Sequence, residues 1–271
     1  MHLLDLDDDV LLAVMQNLPV MLVRGDLLLV CRRLLQLASS SAALGGHVNV
    51  AFLGGAKHKA ITPILEALAK LNRDRGITSV ALGNCNWGTG TTKKLIKLFP
   101  ALEAVDLGAA KKVAHAHGLA DWSVAAIPSL RKFKWAWGFD CYEPNLLNLV
   151  RGRELLEELD LERAEGMGGA SPRTGLSDAL LVELGASCPQ LRTLCLQGDL
   201  RITDKGIYAL LKGCPALSKL KLRTQCIFHS ASSRITLSSE CVDALNARGR
   251  IDCGSWPSSP ALSQSLLWVS K

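Results

Sequence analysis

The sequence predicts an α/β solenoid, in which strand–helix units of similar length stack side by side. The main observation is a repeated phrase: an apolar residue, two variable positions, an apolar residue, one variable position and a further apolar residue. Its first apolar position recurs at intervals of 28, 26, 35 and 26 residues. A regular period of roughly 20 to 50 residues indicates units that bury their faces against one another. The five anchor positions are Leu102, Leu130, Leu156, Leu191 and Leu217.

Composition supports a folded, leucine-layered protein. The chain has 271 residues, of which 48% are apolar but only 5% aromatic, a bias that suits stacked leucine layers better than an aromatic-rich sandwich. The formal net charge is +6, and it is too diffuse along the sequence for a nucleic-acid footprint. We therefore expect a protein that binds other proteins, with neither nucleic acid nor membrane as a partner.

The N-terminus and the cysteines predict a cytoplasmic or nuclear location. Four Asp residues lie within positions 5–9, where a signal peptide needs a basic region. There is no apolar run of about 18 residues, the length that a membrane span requires. The nine cysteines form no C-x-x-C pair, and their odd number favours a reducing compartment.

Ahead of the regular repeats, the predicted elements are first helical and then include both strands and a helix. Residues 6–37 have apolar positions at helical spacing, and a Ser- and Gly-containing hinge follows at 39–46. A first strand is predicted at 47–52, because apolar and polar residues alternate there. An amphipathic helix is predicted at 61–71 and the next strand at 77–85.

Helices are predicted between the later phrases. The clearest are 176–186 and 205–212, the second opened by Thr203 and Asp204 as caps. The Gly-rich stretch 163–175 and the Ser-rich stretch 225–239 are expected to be surface loops. A last short strand is predicted at 250–253, giving about eight strand units with those above.

Residues 194–217 read Leu-Cys-Leu-Gln-Gly-Asp-Leu-Arg-Ile-Thr-Asp-Lys-Gly-Ile-Tyr-Ala-Leu-Leu-Lys-Gly-Cys-Pro-Ala-Leu. This resembles the cysteine-containing leucine-rich repeat, closely over residues 176–222 and more loosely over 77–161. The resemblance implies a right-handed horseshoe with parallel strands on its concave side and helices outside. Cys188 and Cys214, each before the Pro of a repeat, are expected to be small buried residues at equivalent positions.

The N-terminal segment resembles an F-box, a small all-helical module. Residues 6–19 read Leu-Asp-Asp-Asp-Val-Leu-Leu-Ala-Val-Met-Gln-Asn-Leu-Pro, and residues 27–34 read Leu-Leu-Leu-Val-Cys-Arg-Arg-Leu. Asp7 stands where the family usually has Pro, and Leu34 where it has Trp. The resemblance implies three parts: an F-box at 1–40, repeats at 41–253 and a tail at 254–271. The residues expected to contact an adaptor are Leu6, Val10, Leu11, Val14, Leu18, Leu27, Val30 and Cys31.

F-box proteins with leucine-rich repeats are similar to the substrate-recruiting subunits of SCF ubiquitin ligases. By that resemblance the partners are a Skp-family adaptor, a cullin bound through the adaptor, and an unknown target marked for degradation. The chain itself is then expected to have no catalytic residue, no cofactor and no metal. The alternative is a repeat scaffold or inhibitor without a ubiquitin role, whose N-terminal helices cap the open end of the solenoid.

The binding surface can be read from the variable positions of the phrase, because neighbouring strand residues alternate between the two faces. The variable positions of each strand form one rung of this surface. Some rungs are basic and others acidic, and the rung of Thr193, Cys195 and Gln197 is uncharged. Such a pattern could select partners by charge; the alternative is that Lys132 and Lys134 simply pair with Glu158 and Asp160. The predicted target-binding residues are Asp106, Lys132, Lys134, Glu158, Asp160, Glu162, Lys219, Lys221 and Arg223.

Three further patterns carry weaker indications. The Gly-rich stretch 83–93 lacks the Gly-Lys-Ser/Thr ending of a phosphate-binding loop, which favours a turn after a strand. His115 and His117 have no third ligand at metal-binding spacing. Trp135 and Trp137 could stack on bases, but alternation along a strand turns one ring inward, which predicts core packing for Trp135.

Overall fold

The computed structural model describes Asp7, Ser123, five helical positions between 62 and 69, and the ranges 47–49, 76–82, 89–109, 125–137, 143–163, 175–198, 200–224 and 234–248. Several predictions lie outside these residues. They are the F-box segment 1–40 apart from Asp7, most of the Gly-rich stretch 83–93, the two histidines at 115 and 117, the last strand at 250–253 and the tail at 254–271.

The fold is α/β, with a parallel sheet of seven strands that follow one another in chain order. All of its pairings are parallel. A smaller parallel sheet has the order β10-β8-β6. The main-sheet strands are β1 His47–Asn49, β2 Ser79–Ala81, β3 Ala104–Ala109, β4 Lys132–Trp137, β5 Glu158–Arg163, β7 Thr193–Gly198 and β9 Lys219–Thr224. The small-sheet strands are β6 Leu176–Ser177, β8 Leu200–Thr203 and β10 Arg234–Thr236.

Helices precede β3, β5, β7 and β9 in the chain and share one core with the main sheet. The inward residues of the strands, such as Phe133, Leu159 and Leu194, form one core with the helix leucines. All three side chains are at most 1% exposed, as expected when every second strand residue faces the same way. The helices are α1 Thr89–Leu98, α2 Glu143–Val150, α3 Asp178–Ser187, α4 Asp204–Gly213 and α5 Ser239–Ala247.

Three successive units, those of α2, α3 and α4, are each fixed to the next by a carboxylate at the start of the helix. Glu143 of α2 accepts bonds from the backbone N–H of Ser177 (2.6 Å) and from its hydroxyl (2.9 Å). Asp178 of α3 does the same for Thr203, at 2.8 Å and 2.5 Å. Asp204 of α4 accepts the N–H of Ser238 at 2.9 Å. In each case the carboxylate accepts hydrogen bonds from the residue that immediately precedes the helix of the following unit. The donors at a helix start have no partner within their own helix.

A second set of bonds links the units where the helices end. The Cys214 thiol, at the end of α4, donates to the carbonyls of Cys188 (3.2 Å) and Leu184 (3.6 Å) in the preceding unit. The Cys188 thiol donates to the carbonyl of Val150 at 3.5 Å. Burial raises the pKa of Cys188 to about 12 and that of Cys214 to about 11. Both thiols therefore stay protonated at neutral pH and serve as donors.

Arg153 occupies the corresponding place in the unit before these cysteines, three residues ahead of its anchor leucine. Its guanidinium donates to the carbonyls of Ile127 at 2.6 Å and Ser123 at 3.1 Å, both in the preceding unit. It also donates to the carbonyl of Leu149 at 2.6 Å. Only 3% of the residue is exposed, and burial lowers its pKa to about 10, so the guanidinium is charged at neutral pH. Like the buried thiols, Arg153 links its unit to the backbone of the preceding unit.

Close helix packing between α3 and α4 depends on glycine. A Cβ added at Gly213 would overlap the backbone carbonyl of Gly185, and a Cβ at Gly185 would overlap the carbonyl of Ala209. Backbone atoms cannot swing away as a flexible side chain can. These two glycines therefore allow the two helices to approach each other backbone to backbone.

Several predicted elements are confirmed, and others need correction. The first strand is present over His47–Asn49 and the second over Ser79–Ala81, while the described positions of the predicted 61–71 helix are helical. The prediction of a helix from residue 176 is wrong by two residues, because β6 precedes α3.

The predicted turns and loops are also shorter than expected. The prediction of a turn at 83–93 is wrong from Thr89, where α1 begins. The prediction of a loop over 163–175 is wrong at Arg163, the last residue of β5. The prediction of a loop over 225–239 is wrong at Arg234–Thr236, which pairs with β8, and at Ser239, where α5 begins.

Candidate binding face

The open face of the main sheet is the side opposite the helix-covered core, and it carries the outward residues of β2 to β9. Strand register sorts these residues into rows that cross the sheet, with neighbouring strands about 4.8 Å apart. The first row is Ser79, Ala104, Lys132, Glu158, Thr193 and Lys219. The second row is Ala81, Asp106, Lys134, Asp160, Cys195 and Lys221.

The predicted charged residues of β4 and β5 lie next to each other and form ion pairs. Lys132 Nζ is 3.7 Å from a carboxylate oxygen of Glu158, and Lys134 Nζ is 3.9 Å from one of Asp160. The two lysine side chains are about half exposed, at 58% and 47%. The exposed pair of Lys132 with Glu158 contributes little to stability, whereas the Asp160 side chain of the second pair is only 15% exposed. Both pairs neutralise the middle of the open face. The sequence alone did not decide whether these lysines and carboxylates pair, and the structure shows that they do.

Asp106 is engaged within its own strand. Its carboxylate accepts a bond of 2.7 Å from the backbone N–H of Gly108, a residue with φ of 57°. Asp106 is also in register with Lys134 of β4. The predicted site residue Asp106 therefore supports the local backbone at the end of β3 as well as adding negative charge to the face.

The third site residue of β5, Glu162, lies in register with Ala136 of β4. Gln197 and Arg223 are in register with each other on β7 and β9. Ala136 is buried although it belongs to the open face. The neighbouring Trp135 points into the core and is 3% exposed, which confirms the prediction of core packing for this ring.

Strand β7 contributes no charge to the open face and forms a recessed floor. Its outward residues are Thr193, Cys195 and Gln197; Cys195 is 5% exposed and Gln197 9%. Lys132 and Lys134 of β4 are far more exposed. The sequence identified the β7 positions as an uncharged rung, and the structure shows that Cys195 and Gln197 are also buried.

Strand β9 carries the basic edge of the face. Lys219, Lys221 and Arg223 are in register with the three floor residues of β7. Lys219 is exposed, and the other two are partly exposed. The structure therefore brings the three predicted basic residues together on one strand, two strands away from the carboxylates of β5.

The predicted adaptor-binding residues of the F-box segment lie outside the described residues. Within the described part of the chain, no group of three or more His, Cys, Asp or Glu side chains is arranged to hold a metal ion. No helix among the described residues is long and apolar enough to cross a membrane.

Comparison with protein-family models and with curated proteins found no match. No protein-family model matches the chain, and no curated protein is significantly similar to it. The functional interpretation therefore depends on the residues and contacts of the chain itself.

Proposed function

We propose that the chain is the substrate-recruiting adaptor of an SCF ubiquitin ligase. In this proposal residues 1–40 are an F-box that binds a Skp-family adaptor, and the sheet-containing part is a right-handed leucine-rich-repeat horseshoe that holds the target on its concave, open face. The observation that carries the proposal is a parallel main sheet to which each unit adds one strand, covered by helices on one face among the described residues.

The contacts between units support the leucine-rich-repeat part of the proposal. Helix-start carboxylates and helix-end thiols recur at equivalent positions and reach into the neighbouring unit. Asp204, Cys188 and Cys214 belong to the Thr-Asp and Cys-Pro elements by which the sequence resembles the cysteine-containing repeat, and Asp178 takes the position of Asp204 in its own unit. A chain built in this way gains stability from nearest-neighbour interfaces, and the contacts above lie at the starts and ends of the helices.

Catalysis in such a ligase is positional. The adaptor chain would hold a target near a separate ubiquitin-conjugating enzyme, which raises the effective concentration of the target's lysines at the reactive thioester. No side chain of the adaptor needs to form or break a bond.

The test is binding of the purified full chain to a Skp-family adaptor. A Leu11→Asp, Val14→Asp variant removes two apolar residues from the predicted F-box helix. The matched control is Val182→Asp, Tyr208→Asp, which makes the same kind of change at two exposed apolar positions of α3 and α4. We expect the intact chain and the control to bind the adaptor and the F-box variant to lose binding, each measured by calorimetry on samples with the same circular dichroism spectrum.

Failure of the intact, folded chain to bind any Skp-family adaptor would contradict the proposal. The N-terminal segment would then be assigned as a cap of the solenoid, and the protein as a scaffold without a ubiquitin role. Equal loss of binding in both variants would also contradict it, because the F-box helix would not be the specific contact.

A further inference from the structure

We propose that the edge of the repeat stack at which α3, α4 and α5 end binds an acidic segment of a protein partner. Exposed cations of three successive units form this surface, the basic rim: Arg192, Lys212, Lys219 and Arg248. The basic rim borders the open face at the start of β9 and continues towards the helix ends. The inference therefore goes beyond the proposed function, and it does not depend on the F-box.

The first step of the argument is that bonds between units bring these residues to one edge. The backbone N–H of Lys219 donates to the carbonyl of Arg192 at 3.0 Å. The guanidinium of Arg248 donates to the carbonyl of Cys214 at 3.3 Å, and Cys214 follows Lys212 by two residues. Arg192 and Lys219 are therefore neighbours across two units, and Lys212 and Arg248 share the turn that follows α4.

The second step is that the same edge is neutralised in the preceding units. Glu103, Arg131, Glu157 and Arg192 each lie just before a strand of the main sheet. They are neighbours in that order, because the N–H of each donates to the carbonyl of the one before it, at 2.7 to 2.8 Å. Arg131 Nη1 is 2.7 Å from Glu157 Oε1. The carboxylate of Glu157, the acidic neighbour of Arg192 in this row, is thus paired with Arg131.

The third step is that no such pairing offsets the basic rim. All four of its cations are exposed, and none of them forms an ion pair with another residue that the structure describes. The turns at 185–193 and 211–219 also contain no Asp or Glu. The positive charge of this edge is therefore uncompensated nearby and would attract a negatively charged partner.

Helix ends explain only part of this charge. Lys212 lies in the last turn of α4 and Arg248 directly follows α5, where a positive charge interacts favourably with the helix dipole. Arg192 lies just before β7 and Lys219 begins β9, so neither can stabilise a helix in this way. Arg192 and Lys219 are therefore the residues whose charge most directly indicates a partner.

The arrangement of the cations favours carboxylates of a protein. Arg192 and Arg248 belong to the first and third of three successive units, about 10 Å or more apart along the stack. Several carboxylates on one segment can reach points so far apart, whereas a single phosphate can reach only one of them. The exposed residues between the cations include no aromatic ring on which a single-stranded nucleic acid could stack; they are Pro189, Gln190, Pro215, Ala216 and Ser218.

The test measures fluorescence anisotropy of a fluorescein-labelled peptide, in which six Glu residues alternate with Gly, in the presence of the full chain. A peptide with Gln in place of each Glu is the ligand control. The protein variant is Arg192→Glu, Lys219→Glu. Its matched control is Lys97→Glu, Lys205→Glu, which makes the same change in net charge at exposed positions of α1 and α4.

We expect the acidic peptide to bind the wild-type chain and the control variant with similar Kd, and the rim variant to bind at least ~10-fold more weakly. Binding should also weaken as salt is raised, because these charges are at the surface. A second variant, Arg192→Gln, Lys219→Gln, addresses folding, since it removes the charges without introducing new ones, and it should also lose affinity.

Four results would overturn the inference: no binding of the acidic peptide, equal binding of the Gln peptide, equal loss in the rim and control variants, or tighter binding of a single-phosphoserine peptide, a single-stranded RNA or phosphatidylserine vesicles. Binding to the Skp-family adaptor is measured on the same samples. Because Arg192 and Lys219 are remote in sequence from residues 1–40, loss of peptide binding with adaptor binding retained tests the basic rim separately from the ligase assignment.

Discussion

The two faces of the main sheet are held in place in different ways. On the helix side, buried donors such as Arg153 and Cys214 bond to the backbone of the preceding unit, and carboxylates such as Asp178 accept bonds from the backbone of the following unit. On the open face, contacts between units are exposed ion pairs such as Lys132 with Glu158. The difference indicates that the helix side determines how the units stack, whereas the open face can change its residues without loss of the fold.

Substitution of Arg153 by Met should give the largest effect on stability. It removes the donor to three backbone carbonyls, at Leu149, Ile127 and Ser123, and buried acceptors without partners are costly. We expect a loss of about 3 kcal/mol in the free energy of unfolding, roughly 1 kcal/mol for each carbonyl, measured by urea denaturation.

The matched control is Arg151→Met, two residues away. Arg151 is exposed and its Nε lies 3.5 Å from a carboxylate oxygen of Glu183, so the same chemical change should cost less than ~0.5 kcal/mol. Equal costs for the two variants would mean that the buried bonds of Arg153 are not what links these units.

Substitution of Asp204 by Asn should have a smaller effect that depends on pH. Hydrogen bonds from the side chain and backbone of Ser238 hold the pKa of Asp204 below its ordinary value. The folded protein therefore resists protonation of this carboxylate, and its stabilising contribution, present at neutral pH, is lost as pH falls below about 4.

Urea unfolding midpoints at pH 6 and pH 3 test this expectation. The wild type should lose more stability between the two values than Asp204→Asn, which keeps an acceptor oxygen but cannot titrate. Ser238→Ala removes one of the bonds and should give an intermediate difference. If the wild type and Asp204→Asn lose the same amount, the contact between the units does not depend on the charge of Asp204.

Reversal of one open-face ion pair should give the smallest effect. We expect Lys132→Glu and Glu158→Lys each to cost about 0.5 kcal/mol, and the double variant to recover most of that loss, because the pair is exposed. A double-mutant cycle by urea denaturation gives the coupling energy. A coupling energy above ~2 kcal/mol would remove the contrast between the two faces.

The repeated phrase was enough to predict the strands of the main sheet and which of their residues face the core. Phe133, Leu159 and Leu194 are buried as the alternation requires. The small sheet of β6, β8 and β10 was not predicted, because strands of two to four residues are defined by bonds to neighbouring units and have little pattern of their own. For the same reason, β10 was mistaken for part of a loop.

For the candidate site, sequence alternation identified the outward residues but not the state of their charges. Whether Lys134 contacts Asp160 depends on strand register and rotamers. Gln197 is 9% exposed although it is a polar residue at an outward position, which alternation alone does not predict. Arg153 was also missed, since an arginine at a position filled elsewhere by cysteine does not look equivalent until both are seen to donate to backbone carbonyls.

The contact between Gly185 and Gly213 has a consequence for curvature. In a stack of strand–helix units, the angle between neighbours grows with the difference between helix spacing, usually about 8 to 10 Å, and strand spacing of about 4.8 Å. Because α3 and α4 meet backbone to backbone, that difference is reduced between these two units. The sheet therefore bends less at β7 and β9 than it would with bulkier residues, and two glycines on the helix side help to set the flatness of the surface that a partner would meet.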